Sequence, residues 1–197
     1  MDFLKTFTEP YLPSQSDAFV QKLSNLLTKK FYKKKEIIVK LKEIPSKFYI
    51  IKKGIVRSYI IGPQGKEHIK TLYTTNNIFA PLTALIKKKP SHYSFDCLTD
   101  CEILEGNHND LLALTNSDLE LSVTYSKILE EMYIRTDNKI HDLSTLNATE
   151  RFIKLKKEKP NIGNLIKQYH IASYLNITPT QLSRIKKNII QNNFLIY

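Results

Sequence analysis

The sequence predicts an α+β protein built from an antiparallel β-roll, a long helix and a carboxy-terminal helix-turn-helix domain. Three observations predict it: residues 32–105 have the short period of strands, the period becomes helical from residue 116, and the final residues pair short amphipathic runs around a turn. The expected units are residues 1–115, residues 116–146 and a winged-helix-like domain over residues 147–197. A chain of 197 residues with 42% hydrophobic content is long enough to bury a substantial core.

A helix is expected before the roll. Apolar residues recur at helical spacing over residues 16–31, and Ser14 or Ser16 can cap the start. Turn residues such as those of Gly62-Pro63-Gln64-Gly65 separate the segments that follow, which are "EIIVKL", "KFYIIKKGIVRSYII", "EHIKTLY", "HYSFDCL" and "CEILEG". Their content of isoleucine, valine, tyrosine and phenylalanine predicts strands, and their spacing predicts hairpins that close into a sandwich or roll.

The long helix begins at a capping-box pattern, Ser117 with Glu120. Apolar residues then recur at spacings of four, three and four, and they are Leu121, Tyr125, Ile128 and Met132. Such a stripe can pack against the sheet of its own chain or form a seam between two copies. A helix of roughly 28 residues spans about 42 Å and would extend past a small roll, so we expect the four residues to form a homodimer interface.

The last domain has the apolar pattern of a helix-turn-helix. Asn147 with Glu150 is a second capping box. Asn176 lies where the turn needs a left-handed residue, and Ala172 is small where two helices would cross. The second helix of the pair should start abruptly at a third capping box and a proline in the first helical position, formed by Thr178, Pro179 and Gln181.

The outward face of that second helix carries polar and basic side chains suited to DNA. Arg184 is the best candidate for reading a base, because a guanidinium group can bond both guanine acceptors at once. The other candidates should mainly contact phosphates, which fix the register without reading sequence. The full set of expected DNA-binding residues is Gln168, Thr178, Thr180, Gln181, Ser183, Arg184, Lys186 and Lys187.

The charge is concentrated in this same region. The chain has a net charge of +11 and a pI near 9.5. Residues 147–197 contain nine lysines and arginines and two glutamates, a net charge of +7, which leaves +4 for the rest of the chain. A basic carboxy-terminal domain favours a polyanionic partner such as double-stranded DNA.

Other classes of protein are disfavoured. The sequence has no secretory signal and no apolar run long enough to span a membrane, so we expect a cytoplasmic protein without a membrane partner. Cys97 and Cys101 are too few for an iron-sulfur cluster or a structural zinc site, and they are expected to be buried. The five histidines form no ligand pair, and no nucleophile elbow or phosphate loop occurs, so we expect no metal, no cofactor and no enzyme activity.

The whole chain resembles the Crp/Fnr family of transcription regulators, typified by the cyclic-AMP receptor protein. The resemblance rests on "KFYIIKKGIVRSYIIGPQGKEHI", with Gly54 and Gly65-Lys66-Glu67 in the family's hairpin positions, and on the carboxy-terminal "HIASYLNITPTQLSRIKK". It implies a cyclic-nucleotide-binding-like roll, a dimer along the long helix and a domain that binds a two-fold symmetric operator. It also leaves RNA polymerase and an unidentified small-molecule effector as candidate partners.

The family's phosphate cassette is degenerate in this chain. The matching stretch is "FAPLTALIKKKPSHYSF", in which Pro81 replaces the family's glutamate and Ser91-His92 replaces its arginine and serine. A cyclic phosphate needs backbone N–H donors and a cation, and these replacements remove both. The degenerate effector pocket comprises Ala80, Pro81, Leu82, Ser91 and His92. We therefore expect a homodimeric regulator with a signal other than cyclic AMP; the alternative is a cyclic-nucleotide-responsive regulator with a non-standard cassette.

Overall fold

The computed structural model describes residues 2–194, with side chains as far as Gln191. Nine helices and eight strands are found in this part of the chain. The helices are α1 (Asp2–Thr8), α2 (Asp17–Asn25), α3 (Leu82–Lys87), α4 (His108–Thr115), α5 (Leu119–Thr145), α6 (Ala148–Glu158), α7 (Ile162–Leu165), α8 (Gln168–Tyr174) and α9 (Pro179–Phe194). The strands are β1 (Leu27–Tyr32), β2 (Ile37–Val39), β3 (Lys47–Lys53), β4 (Val56–Ile61), β5 (Glu67–Tyr73), β6 (Ile78–Phe79), β7 (Ser94–Cys97) and β8 (Cys101–Asn107).

The strands form the predicted antiparallel roll. One sheet has the order β1-β8-β3-β6 and the other β2-β7-β4-β5, and every pairing is antiparallel. The predicted turn joins β4 to β5, where Gly65 has a φ of 73° and Gly62 N donates to Lys66 O at 2.8 Å. Gly54 also has a positive φ, and a β-carbon there would lie 2.6 Å from the Asp100 carbonyl oxygen, which explains the glycine.

Aromatic rings fill the space between the two sheets. The Phe79 ring stacks on Tyr49 at a centroid distance of 4.9 Å and on Phe95 at 5.5 Å, and Tyr73 lies 5.2 Å from Phe79. Phe79 is fully buried, and Tyr49 and Phe95 are nearly so. The interior of the roll is therefore a packed aromatic core.

Two helix boundaries differ from the sequence prediction. The helix expected over residues 16–31 ends at Asn25, although Ser16 does cap it, because the segment from Leu27 pairs with β8. Backbone pairing to a strand about 75 residues away overrides the local helical spacing. The long helix is capped by Asp118, whose side chain accepts from Leu121 N at 3.0 Å, whereas Ser117 hydrogen-bonds back to Leu114.

The apolar stripe of α5, for which the sequence predicts a dimer interface, faces the roll of its own chain. Leu121 and Ile128 are 2% and 8% exposed, and Tyr125 and Met132 are half-buried. All four join the core formed with α1, α2, β3 and α4. The periodicity identified the apolar face of α5, and the roll buries Leu121 and Ile128 while Tyr125 and Met132 stay partly exposed.

The carboxy-terminal domain consists of α6 to α9 and packs on the roll. The Asn147–Glu150 capping box is formed, with Asn147 N donating to Glu150 Oε2 at 2.8 Å. Residues 147–194 contain no strand, so no wing is formed within that described stretch. The core of this domain is continuous with the outer face of the β4–β5 sheet, where Tyr59, Ile69 and Leu72 belong to the same apolar cluster. This docking sets the direction in which α9 faces.

Candidate nucleic-acid interface

The α8–α9 pair has the geometry that the sequence predicted. Ala172 is fully buried where the helices cross, and Ile171, Leu175 and Leu182 are at most 2% exposed. Asn176 has a φ of 56°, the left-handed conformation expected at the turn. These features hold α8 and α9 in a fixed orientation, with a packed core on one side and an exposed face on the other.

A capping box rigidly defines the start of α9. Thr178 N donates to Gln181 Oε1 at 2.8 Å, and Gln181 N donates to Thr178 Oγ1 at 3.1 Å. The Thr178 hydroxyl also donates to Gln181 Oε1 at 3.1 Å. The side-chain oxygen of Gln181 is thus used by the cap, while its side-chain Nε2 can donate to an acceptor outside the protein. Because Pro179 has no N–H to leave unsatisfied, the helix can begin directly in front of a ligand.

The outward face of α9 gathers most of the predicted DNA-binding residues. Lys186 is half-buried and donates to Gln168 Oε1 at 3.0 Å, which ties α9 to the start of α8. The exposed members of the set are Gln168, Thr178, Thr180, Gln181, Ser183, Arg184 and Lys187. The sequence of α9 contains three basic residues and no acidic one. A positively charged surface with hydroxyl and amide groups can contact phosphates and base edges together.

The degenerate effector pocket lies at the start of α3. The Pro81 carbonyl accepts from Ala84 N and Leu85 N, and no side chain caps the helix. Ser91 is 2% exposed, and its hydroxyl donates to Tyr93 O at 2.7 Å and accepts from Tyr93 N at 3.2 Å. His92 is exposed to solvent, while Ala80 and Leu82, on either side of Pro81 in the chain, are half-buried. Ser91 stands at the sequence position of the family's arginine. Its hydroxyl is therefore already hydrogen-bonded to the backbone of Tyr93.

The sequence prediction missed the contact between α8 and the roll. Arg57 on β4 is 5% exposed and donates to both oxygens of Asp96, from Nε at 2.7 Å and from Nη2 at 2.8 Å. The same guanidinium pairs with Glu67 and lies 3.2 Å from Nδ1 of His170 on α8. Burial and, next, the positive charge of Arg57 lower the pKa of His170 from 6.5 to about 4. His170 is thus neutral and accepts from Arg57. Sequence spacing gave no signal for this contact, because the two residues are 113 positions apart.

Among the described residues no helix is long and apolar enough to cross a membrane. The same part of the chain contains no group of three or more His, Cys, Asp or Glu side chains arranged to hold a metal ion. Cys97 and Cys101 are both buried free thiols in the aromatic core of the roll.

The comparisons with known proteins concern the roll and the whole fold. Residues 29–118 match the cyclic nucleotide-binding domain family. FixK2 from Bradyrhizobium japonicum has a similar structure, with a TM-score of 0.73, 17% identity and coverage of 85% of this chain and 86% of that one. The c-di-GMP-responsive global regulator CLP of Xanthomonas campestris has a TM-score of 0.67, 13% identity and coverage of 90% and 93%.

A protein from Eubacterium rectale assigned to the Crp/Fnr family of transcriptional regulators has a TM-score of 0.70 and 14% identity, and the match covers 94% of this chain and 88% of that one. No curated protein sequence matches the chain. The domain match and the shared architecture confirm the predicted fold class.

Proposed function

Since the chain carries a cyclic nucleotide-binding domain and has the fold of the Crp/Fnr transcription regulators, we propose that it is a sequence-specific DNA-binding regulator that acts as a homodimer. It reads a two-fold symmetric operator through α9, and it acts in the cytoplasm. Its roll responds to a signal other than cyclic AMP, an effector or partner of unknown identity. Contact with RNA polymerase belongs to the same proposal.

The observation that carries this proposal is the exposed, basic face of α9 on a rigid two-helix core. Arg184 lies in the second turn and is exposed, so its guanidinium group can reach the floor of a major groove and bond guanine O6 and N7. Lys187 is exposed further along the helix, and we propose that it contacts a phosphate. Thr180 and Ser183, which precede Arg184 on α9, offer exposed hydroxyl groups.

A second copy of the chain is the partner proposed for the outward face of α5. Tyr133 is 71% exposed, Ile140 is 60% exposed seven residues later, and Leu143 is 40% exposed three residues beyond that. A spacing of seven and three puts these side chains on one stripe of the helix, which lies nearer its carboxy-terminal end than the stripe that packs on the roll. Apolar residues at this spacing on a long exposed helix suit a two-stranded seam. The dimer interface is therefore moved from the Leu121 stripe to the Tyr133 stripe.

The proposal that the signal is not cyclic AMP rests on the packing of the roll. Pro81 has no N–H to donate to a phosphate, and the Ser91 hydroxyl is bonded to Tyr93. The stacked rings of Tyr49, Phe79 and Phe95 occupy the space between the sheets. Ala80 and Leu82 line a different cavity, between the roll and α5, whose lining contains no lysine or arginine, so a phosphate bound there would meet no cation.

A signal would act by changing the angle between the two α5 helices of the dimer, and with it the separation of the two α9 helices. Successive major grooves on one side of DNA are about 34 Å apart, so only one spacing of the reading helices fits both half-sites. Any ligand that prefers one angle shifts the population toward it. Whether binding then activates or represses transcription depends on where the operator lies relative to a promoter.

Selection of genomic fragments tests the proposal directly. Purified protein is mixed with fragments of the source genome, with and without cell extract, and the bound fragments are sequenced. The proposal expects an inverted repeat whose half-sites are about one helical turn apart, centre to centre. Recovery of fragments without a shared sequence, at an affinity equal to that for bulk DNA, would contradict it. A repeat recovered only in the presence of extract would identify a required effector.

A further inference from the structure

The outer edge of the β4–β5 sheet is bound by helix α8 of the same chain. We infer that this docking contact, formed by Arg57, Glu67 and Ile69 of the roll with His170 and Ser173 of α8, fixes the orientation of the DNA-binding domain that the operator requires. The inference rests on the proposed function, because it concerns the spacing of the two reading helices on DNA. It makes the docked arrangement the DNA-binding one.

Ser173 takes the place of a neighbouring strand at the sheet edge. β5 is the last strand of its sheet, so alternate backbone groups along it point outward without a strand partner. The Ser173 hydroxyl accepts from Ile69 N at 3.0 Å and donates to Glu67 O at 2.8 Å. One side chain on a helix thereby satisfies both a donor and an acceptor of the edge. A domain that moved away would leave both groups without a protein partner.

His170 provides a second hydrogen bond across the same contact. The Arg57 guanidinium is held in the roll by Asp96 and Glu67, so its position does not depend on α8. Its remaining N–H on Nη1 points toward Nδ1 of His170, 3.2 Å away. His170 is 8% exposed. The roll therefore presents a fixed donor, and α8 brings a matching acceptor to it.

Apolar and polar contacts on both sides extend the docking contact. Tyr59, Ile69 and Leu72 of the roll share one cluster with the core of the carboxy-terminal domain. Lys139 of α5 donates to Tyr174 O at 2.7 Å, and its ammonium group lies 3.5 Å from the centre of the Tyr174 ring. The end of α8 is thus bonded to the long helix as well as to the roll. These contacts define one orientation rather than a loose association.

The docked orientation leaves the reading face of α9 open. Arg184 and Lys187 are exposed while His170 is buried, so docking uses one face of the helix pair and DNA would use another. In a dimer, two docked domains would have a fixed separation. Two released domains could each still bind a half-site, but they would no longer be held at the separation that both half-sites require.

Four variants test the inference. Ser173→Ala removes both edge hydrogen bonds, Ser173→Thr keeps a hydroxyl at the same position, and Ser126→Ala is a matched control on an exposed part of α5. A combined Ser173→Ala, His170→Phe variant removes both types of hydrogen bond and keeps a ring in the contact. Each protein is measured by amide hydrogen exchange at Ile69, by binding to one half-site, and by binding to full operators with the natural spacing and with two altered spacings.

The expected result has three parts. Exchange at Ile69 should rise about fivefold in Ser173→Ala and further in the combined variant. Binding to a single half-site should stay the same, whereas binding to the full operator should weaken at least tenfold in the combined variant. The preference for the natural spacing over altered spacings should fall by a similar factor, and Ser173→Thr should restore it.

Three results would overturn the inference. Tighter binding of the full operator by the combined variant would mean that the docked state is the inactive one. Unchanged exchange at Ile69 in Ser173→Ala would mean that the edge contact is not formed in solution. Raised exchange with unchanged spacing preference would mean that docking does not set the separation. Failure of the proposed function is distinguishable, because the unmodified protein would then bind neither the half-site nor the full operator specifically, while exchange at Ile69 could still report docking.

Discussion

Two isoleucines on α5 allow the core-facing stripe and the proposed dimer face to be tested separately. Ile128 is 8% exposed and packs in the core of the roll, whereas Ile140 is 60% exposed on another face of the helix. Replacing each by lysine places the same charge in two different environments. Asn138→Lys is the matched control, because Asn138 is exposed on the same helix but lies away from both stripes.

Ile128→Lys should destabilise the fold rather than split the dimer. Loss of a buried isoleucine costs about 2–5 kcal/mol, and an ammonium group in an apolar site adds to that. A total of about 4 kcal/mol or more corresponds to a fall in Tm of about 8–16 °C for a chain of this size. Thermal unfolding followed by circular dichroism measures the change, and Asn138→Lys should stay within about 1–2 °C of the unmodified protein.

Ile140→Lys should leave the fold intact and weaken the dimer. Burying the exposed 60% of two isoleucine side chains, one from each copy, contributes about 2–4 kcal/mol. The dimer dissociation constant should therefore rise about 30- to 700-fold, and more if the two ammonium groups lie face to face. Analytical ultracentrifugation over a dilution series measures the constant. Ile140→Lys with an unchanged dimer, or Ile128→Lys with an unchanged Tm and a split dimer, would refute the assignment of the two faces.

Three further predictions concern ligand, cap and pH. Isothermal calorimetry with cyclic AMP should give no binding at tens of micromolar, and a saturable heat below that range would contradict the reading of Pro81 and Ser91. Thr178→Ala should lower the free energy of unfolding by about 1 kcal/mol through loss of the α9 cap, measured by urea denaturation with Thr178→Ser as the conservative control. His170 faces Arg57, Glu67 and Asp96 from the roll and Lys167 from its own side, and its pKa is lowered to about 4. The folded state therefore loses stability as the pH falls below 6.5, by about 2 kcal/mol between pH 7.5 and pH 5, and His170→Phe should remove that part of the pH dependence.

The features that the sequence predicted correctly depend on residues that are close together in the chain. Asn176 in its left-handed turn, Pro179 at the first helical position and the Thr178–Gln181 capping box each involve residues a few positions apart. The strands of the roll were also recognisable, because short alternating runs and glycine turns repeat along the chain. Such signals are contained in a few neighbouring residues and do not depend on the rest of the fold.

The features that the sequence could not specify depend on contacts between distant segments. The Leu121–Met132 stripe showed which face of α5 is apolar, but not that α1, α2 and β3 cover it. The segment after Asn25 has apolar residues at helical spacing, but it forms strand β1 because it pairs with β8. The contacts of Ser173 and His170 with the roll join residues more than 100 positions apart and follow no periodic pattern.

Two basic residues of α9 test whether this helix reads DNA sequence. Arg184→Ala should weaken binding to the selected operator by about 1–3 kcal/mol and binding to a scrambled duplex much less. Lys187→Ala should weaken binding to both duplexes by a similar factor and reduce the salt dependence by about one unit. Binding titrations on both duplexes at several salt concentrations measure these effects. Equal losses on the two duplexes for Arg184→Ala would contradict base reading by Arg184, because that residue would then only hold the protein on the phosphate backbone.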